Sequence, residues 1–335
     1  MECKIRIRDI AVYHPSKAVD NEFFFKHFEK QGKDVKHFLE DVLGRKKRYM
    51  IDNKGKKESE RENSLTMQIE AAKRVLKKTN LTGKDIDGII VATQFPEYIT
   101  PPCFMYVHGA IDGKRECFGY DINTNCLGMT MAFHQASQYF SCNPQIEKML
   151  IIAGDYLNLG VSEDDEGLYG VLGDSACAIV VERSDETSKL IDSDYFINNT
   201  CIEDKVFPRN GFSDLFENQN LDCKGNPEST ADLEIPFVVE KMKKMLQRNG
   251  LSPKDLGGIC VSQSVKSNVN YIKENLEIAD EKCPFVAEEY GYTGGNSPFL
   301  ALNKLIEKGQ IKRGDYVLLW TVGSSMQHIF LLIKY

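Results

Sequence analysis

Two stretches about 170 residues apart, KKTNLTGKDIDGIIVATQ and QRNGLSPKDLGGICVSQS, follow one plan. Each leaves a helix, passes through L-[TS]-x-K-D and a glycine-bearing turn, and enters a buried β-run. A repeat this long is not a solenoid period of about 20–50 residues, so it reads as a duplicated α/β unit. The surrounding pattern agrees. In the first half, a helix over 64–80 with Ser64 as N-cap precedes a strand at 89–95 and another at 116–122. A helix at 127–140 and strands at 148–155 and 176–183 follow. The second half has a helix over 234–250, a strand at 257–261, a helix over 296–311 and a strand at 315–323. Duplicated α/β halves with buried strands predict two layered units with mostly parallel sheets.

A chain of 335 residues is long enough for about two domains. With 42% hydrophobic and 27% charged residues it has ample material for a core. The net charge of −7 excludes a general nucleic-acid binder, which is usually basic. Apolar runs such as GIIVATQF and YVLLW are too short to span a bilayer, and the N-terminal MECKIRIRDIAVYHP alternates like a strand rather than a signal peptide. Ten cysteines without a C-x-x-C pair read as reduced thiols in a cytoplasmic protein, not as a disulfide framework or zinc site. The runs at 51–63 and 162–167 read as exposed loops. The acids Glu163, Asp164, Asp165 and Glu166 lack spaced ligand partners, so no metal is expected there. No phosphate-loop motif exists, and Gly294-Gly295 reads as a tight turn before a helix starting near Ser297-Pro298. The glycosylation patterns at Asn80-Leu81-Thr82 and Asn198-Asn199-Thr200 carry no weight in such a chain.

The chemistry concentrates at Cys126, in FGYDINTNCLGMTMAF. A buried strand runs into a thiol and a helix opens immediately after it. A sulfur there meets unpaired backbone amides and the positive end of the helix dipole, conditions that favour thiolate and make a nucleophile. The alternative is an inert buried cysteine, the reading given to the other nine.

Four segments, in order, resemble the β-ketoacyl-ACP synthase III group of the thiolase superfamily over nearly the whole chain. DINTNCLGM resembles its nucleophile segment, and GLYGVLGDSACAIVVE its F-G-D-G-A-G-A strand, giving Gly173 and Asp174. GYTGGNSPFLALNKLIEKGQIKRGDYVLL resembles its G-N-T-S-A-A-S turn, helix and strand, and TVGSSMQHIFLLIKY its closing glycine-rich turn and last strand. The resemblance implies a thiolase-like fold: duplicated α/β halves, 1–185 and 186–335, in an αβαβα arrangement with the active site between them. It implies a homodimer built through the first half, which the apolar TPPCFMYVHGAI (100–111) suits.

The matches are broken at two places. The family's catalytic histidine lies in H-Q-A-N, and VSQSVKSN puts Ser262 there, with Gln263 kept. Its catalytic asparagine lies in G-N-T-S, and Tyr292 stands in that place, with Asn296 four residues on as a substitute. The six histidines, at 14, 27, 37, 108, 134 and 328, are all far from Ser262 in sequence. Carried over, Cys126 is the nucleophile, the amides of Cys126 and Ser324 form the oxyanion hole, and Ser262 and Tyr292 are the second-half groups. Phe38 replaces the adenine-stacking tryptophan and Val42 the neighbouring arginine; Thr100 falls where the family often has a bulky residue closing the acyl pocket across the dimer, and its smaller side chain implies a larger or different acyl group. Trp320 is expected in the core. The basic run Arg45-Lys46-Lys47-Arg48 is either a solvated turn or a docking patch for an acidic acyl carrier protein. The expected activity is acyl transfer from coenzyme A or a carrier-bound phosphopantetheine thioester, in fatty-acid-like or secondary metabolism, with no other cofactor. The rival is a non-catalytic or half-active subunit that forms a heterodimer with a complete synthase.

Overall fold

The computed structural model of the chain describes residues 5–184, 187–199, 205–208, 210–218, 224–225, 234–324 and 326–335. The expected boundary between residues 185 and 186 lies outside them, as do Cys3, Thr200, Cys201 and Cys223. The first half runs β1 (Ile5–Tyr13), β2 (Ala18–Asp20), α1 (Asn21–Glu29), β3 (Lys47–Tyr49), α2 (Ser64–Thr79), β4 (Gly88–Ala92), α3 (Cys103–Ala110), β5 (Phe118–Ile122), α4 (Gly128–Cys142), β6 (Lys148–Asp155) and β7 (Ser175–Arg183). The second runs β8 (Lys189–Ile197), β9 (Lys205–Val206), α5 (Gly211–Asn218), β10 (Lys224–Gly225), α6 (Ile235–Arg248), β11 (Leu256–Val261), α7 (Lys266–Leu276), α8 (Ala287–Tyr290), α9 (Ser297–Glu307), β12 (Tyr316–Gly323) and β13 (Gln327–Lys334).

Helix α2 forms where its apolar spacing predicts, but Asn63 caps it rather than Ser64. Asn63 Oδ1 accepts from the Thr66 amide at 2.8 Å, and Thr66 Oγ1 accepts from the Asn63 amide at 2.8 Å. The Ser64 hydroxyl instead accepts from the Tyr156 amide at 2.9 Å. Asn80, at φ 55°, ends the helix in the left-handed conformation that asparagine tolerates.

The main sheets have the orders β1-β7-β6-β4-β5 and β11-β12-β13-β8. Both are mixed, which corrects the expectation of mostly parallel sheets. Only β6–β4 and β4–β5 are parallel in the first, and only β11–β12 in the second. The difference lies in the connections. Helices carry the chain back between parallel neighbours, whereas β12 turns directly into β13 and must return antiparallel.

Three apolar clusters make the layers. Ala71, Val75 and Ile89 belong to the core between α2 and the outer face of the first sheet. Phe133, Phe299 and Leu319 belong to the central core, where α4 and α9 lie between the two sheets. Met242, Ile272 and Trp320 belong to the core under α6 and α7, so Trp320 is buried as expected. The result is the five-layered thiolase fold. Among the described residues no helix is long and apolar enough to cross a membrane.

His328 on β13 is buried against Trp320 and Phe196, and burial pushes its pKa down to about 4. Trp320 Nε1 donates to His328 Nδ1 at 3.3 Å, which requires that nitrogen to be unprotonated. An unfolded histidine takes up its proton near pH 6.5 and the folded one only near pH 4, so acid between those values favours the unfolded chain. Asp174, raised by burial to about 6, acts in the opposite direction. A His328→Gln comparison isolates the histidine: its urea midpoint falls less than the wild type's between about pH 7 and about pH 4.5. Parallel profiles would contradict this.

Candidate active site

Strand β5 lies parallel to β4 at the edge of the first sheet and delivers the chain to Asn123. Asn125 then takes a left-handed φ of 52°, a conformation asparagine accepts at small cost. The following turn is closed by Leu127 N to Thr124 O at 3.1 Å and Gly128 N to Asn125 O at 3.2 Å. Among the described residues no side chain caps α4, and its first amide, of Gly128, is held by Asn125 O. The half-buried Cys126 sulfur faces Gln94, whose Nε2 lies 3.9 Å away.

The second half closes over this turn with glycines. A Cβ on Gly295 would stand 3.1 Å from the Gly128 amide, and one on Gly323 would stand 2.5 Å from Leu127 Cδ1 and 3.7 Å from the Cys126 amide. Both sites therefore favour glycine for space. Ser324 follows in the β12–β13 turn, and its carbonyl accepts from Asn125 Nδ2 at 3.4 Å.

Tyr292 is held by backbone bonds to the first half: its amide donates to Val171 O at 3.0 Å and its carbonyl accepts from Gly173 N at 2.9 Å. A Cβ on Gly173 would collide with the Tyr290 carbonyl, so this contact needs glycine. Burial pushes the Tyr292 phenol well above the ordinary tyrosine value, and the neighbouring Cys126 sulfur adds to the effect. It is a neutral hydroxyl donor at pH 7. Ser262 is buried close to it, but its hydroxyl makes no well-aligned hydrogen bond among the described residues. The structure thus brings Cys126, Tyr292, Ser262 and Ser324 to one place.

Cys126 lies on a cavity of about 390 Å³, near the lower end of the range that takes small organic ligands. Its walls include Phe38, Val42, Phe95, Leu168, Val171 and Phe207, with Phe95 and Phe207 in edge contact at 4.7 Å. Among the described residues, no Asp, Glu, Lys, Arg or His side chain lines it. None of the six histidines has moved in to replace the one missing at Ser262.

Other expected site residues face elsewhere. Gln263 does not line the cavity: its Nε2 donates to Val261 O at 2.9 Å and its Oε1 accepts from Val286 N at 2.9 Å. Asn296 is turned inward, donating to Ser175 O and Ser175 Oγ at 3.1 Å each. Both amide nitrogens hold backbone or Ser175, neither residue lines the cavity, and Asn296 Oδ1 has no hydrogen-bond partner among the described residues. Thr100 is exposed and lies outside the cavity of the single chain.

The basic run is neither a solvated turn nor a four-residue docking patch. Arg45 and Arg48 are 1% and 0% exposed. Alternation along β3 turns Arg48 inward, where it donates to Gly170 O at 2.7 Å and Asn21 Oδ1 at 2.6 Å and stacks on Phe24. Arg45 donates to four carbonyls, of Leu43, Val171, Gln263 and Ser264, and so ties its own loop to both halves behind Tyr292. Burial pushes both guanidinium pKa values down to about 9, and Arg48 adds to the effect on Arg45. Of the run, Lys46 is exposed and paired with Glu288 at 2.6 Å, and Lys47 lies over the Tyr49 ring.

The sequence reading missed Gln94, Leu168, Val171 and Phe207. Gln94 carried a usable signal: it follows the C-terminal end of a buried strand parallel to the nucleophile's own, where open α/β sheets place their sites. The others come from loops whose paths no local pattern encodes. Replacing Arg45 by leucine takes a donor from four carbonyls, of which Val171 O keeps the Tyr292 amide, and lowers the unfolding free energy by about 3 kcal/mol. Lys46→Ala changes it by less than about 0.5 kcal/mol. Urea unfolding of the two variants checks this, and equal effects would contradict it.

Residues 120–198 match the family described as 3-oxoacyl-[acyl-carrier-protein (ACP)] synthase III, and residues 246–335 match that family's C-terminal part. The β-ketoacyl-[acyl-carrier-protein] synthase III of Campylobacter jejuni is 25% identical over 332 residues, covering 99% of this chain and 98% of that protein. The protein of the same name from Helicobacter pylori is 25% identical over 333 residues, 97% of each. Among solved structures, 3-oxoacyl-[acyl-carrier-protein] synthase III from Aquifex aeolicus superposes with a TM-score of 0.84 at 24% identity, covering 99% of this chain and 100% of that one. The priming β-ketosynthase of a polyketide biosynthetic pathway superposes at 0.86 with 19% identity, covering 99% and 97%.

Proposed function

The chain is a β-ketoacyl-ACP synthase III-like protein of the thiolase superfamily, and from that premise we propose that it is an acyltransferase of the condensing-enzyme type. It takes an acyl group from a thioester onto Cys126 and passes the group to an acceptor. Among the described residues Cys126 is the one cysteine on the cavity, at a helix N-terminus and among apolar walls, and this placement carries the reading. In the first step the thiolate attacks the thioester carbonyl. The new sulfur–carbon bond forms, the donor's carbon–sulfur bond breaks, and the carrier leaves as a thiol with the proton Cys126 gave up. The amides of Cys126 and Ser324 hold the oxyanion. A backbone donor is indifferent to the side-chain changes at Ser262 and Tyr292.

Among the described residues the cavity walls carry no charge, which suits a neutral acyl group. The donor is coenzyme A or a carrier-bound phosphopantetheine. Phe38 is on the cavity wall, where it can pack against the arm, and Val42 beside it offers no phosphate contact. The exposed apolar face of Tyr98, Ile99, Met105 and Tyr106 is the surface through which two copies pair. The acceptor is a carbon, nitrogen or oxygen nucleophile. Where it is the enolate of a decarboxylating thioester, the developing oxyanion meets the neutral Tyr292 hydroxyl and, among the described residues, no cation on the cavity wall. Loss of one preorganised donor costs about 3–4 kcal/mol, so acylation is the better preserved half of the reaction.

Incubation with a panel of acyl-CoA and acyl-carrier thioesters, read by intact mass, yields an acyl adduct on the wild type and none on Cys126→Ala. No adduct with any donor would overturn the assignment. Tyr292→Phe, which removes only the hydroxyl, still forms the adduct but slows transfer to the acceptor about 100-fold in single-turnover kinetics. Equal loss in both steps would contradict the role given to Tyr292.

A further inference from the structure

The geometry points to Gln94 as a further catalytic residue: we propose that its carboxamide N–H donates to the Cys126 sulfur and, once that sulfur is acylated, faces the carbonyl oxygen of the incoming thioester. The second part rests on Cys126 being the acyl acceptor; the first does not.

Three side-chain amides near the turn are already committed. Gln263 and Asn296 hold backbone and Ser175, and Asn125 donates to Ser324 O. Gln94 differs, because its Nε2, which also interacts with the Asp155 carboxylate, lies in the cavity wall with the Cys126 sulfur at 3.9 Å. It comes from the first half of the chain, whereas Ser262 and Tyr292 come from the second. The site therefore has a donor that no inspection of the Ser262 and Tyr292 positions would find.

Two independent features place this amide. Asp155, fully buried at the end of β6, accepts from the Gln94 and Phe95 amides at 3.0 Å each and from Thr93 Oγ1 at 2.5 Å. One carboxylate thus sets the backbone on both sides of the Gln94 side chain. On the far side, Gly294 sits at φ 68°, and a Cβ there would stand 3.2 Å from Gln94 Nε2. Glycine at 294 leaves the amide its space, so the loop bearing Tyr292 and the loop bearing Gln94 are fitted to each other. A carboxamide donates without titrating, which suits a group that must face a thiolate at every working pH.

The test needs no acyl substrate. Iodoacetamide alkylation of Cys126 in the full chain is followed by intact mass across about pH 5 to 10, in wild type, Gln94→Glu and Gln94→Met. A carboxylate at this reach opposes the thiolate, so Gln94→Glu raises the pH midpoint of alkylation by about one unit or more and slows alkylation about tenfold below it. Gln94→Met keeps the bulk, removes the donor and raises the midpoint by less. If the Gln94→Glu profile superimposes on the wild type while Gln94→Met unfolds at the wild-type midpoint, the contact is not made and the proposal falls. In transfer from acylated Cys126 to the incoming thioester, Gln94→Met lowers kcat about 100-fold with KM little changed. A loss confined to KM would also overturn the catalytic role. If no thioester loads even the wild type, it is the acyl-transfer reading that fails, and the alkylation profile still decides the contact between Gln94 and the sulfur.

Discussion

Everything at this site depends on how closely two backbones approach around one thiol. Gly295, at the entrance to α9, and Gly323, at the end of β12, pack against the turn that carries Cys126. A Cβ at 323 would run into Leu127 Cδ1, and one at 295 would press tightly on the Gly128 amide. The first sheet supplies the nucleophile, and the second half supplies the surface that closes over it. The central layer of α4 and α9 makes this possible, because both helices begin beside the turn and bury their apolar faces between the sheets. Packing of large side chains such as Phe133 and Phe299 holds the layers together, while small residues at the helix entrances set the distance between them.

A second constraint is where the charge sits. Arg45 and Arg48 are buried close behind the cavity, yet their donors are spent on carbonyls and on Asn21. They act as struts that bind the loop at 43–48 to the segments carrying Val171 and Ser264. Among the described residues, the wall that faces an occupant is left with hydroxyls, amides, hydrocarbon and the Cys126 thiol. Such a surface receives a neutral acyl chain at little desolvation cost, whereas an unpaired carboxylate placed in it would lose its hydration without compensation. The same absence of a cation weakens any step in which an enolate must form.

Much of this was legible in the sequence because it is written in local pattern. Periodicity at 64–80 and the buried runs at 148–155 and 176–183 became α2, β6 and β7 nearly as bounded, since core packing dictates them. Cys126 stood out because strand, thiol and helix are contiguous. The rest depends on tertiary direction. A run of four basic residues looks like surface, and only strand alternation beside a carbonyl-rich loop turns two of them inward. Gln263 and Asn296 occupy promising positions, yet the carbonyls and amides around them capture their side chains. Strand direction leaves no mark on hydropathy, so the mixed sheets were not foreseen. Gln94 looked like the polar end of a strand until Asp155 and Gly294 were seen on either side of it.

The central claim is that Cys126 accepts an acyl group inside a cavity whose walls, among the described residues, carry no charge. The initial rate of Cys126 acylation with a neutral acyl thioester, compared with one of the same length ending in a carboxylate, tests this most directly. The account predicts that the neutral group loads at least about 100-fold faster, because nothing on the walls replaces the lost hydration of the carboxylate. Comparable rates for the two would contradict it.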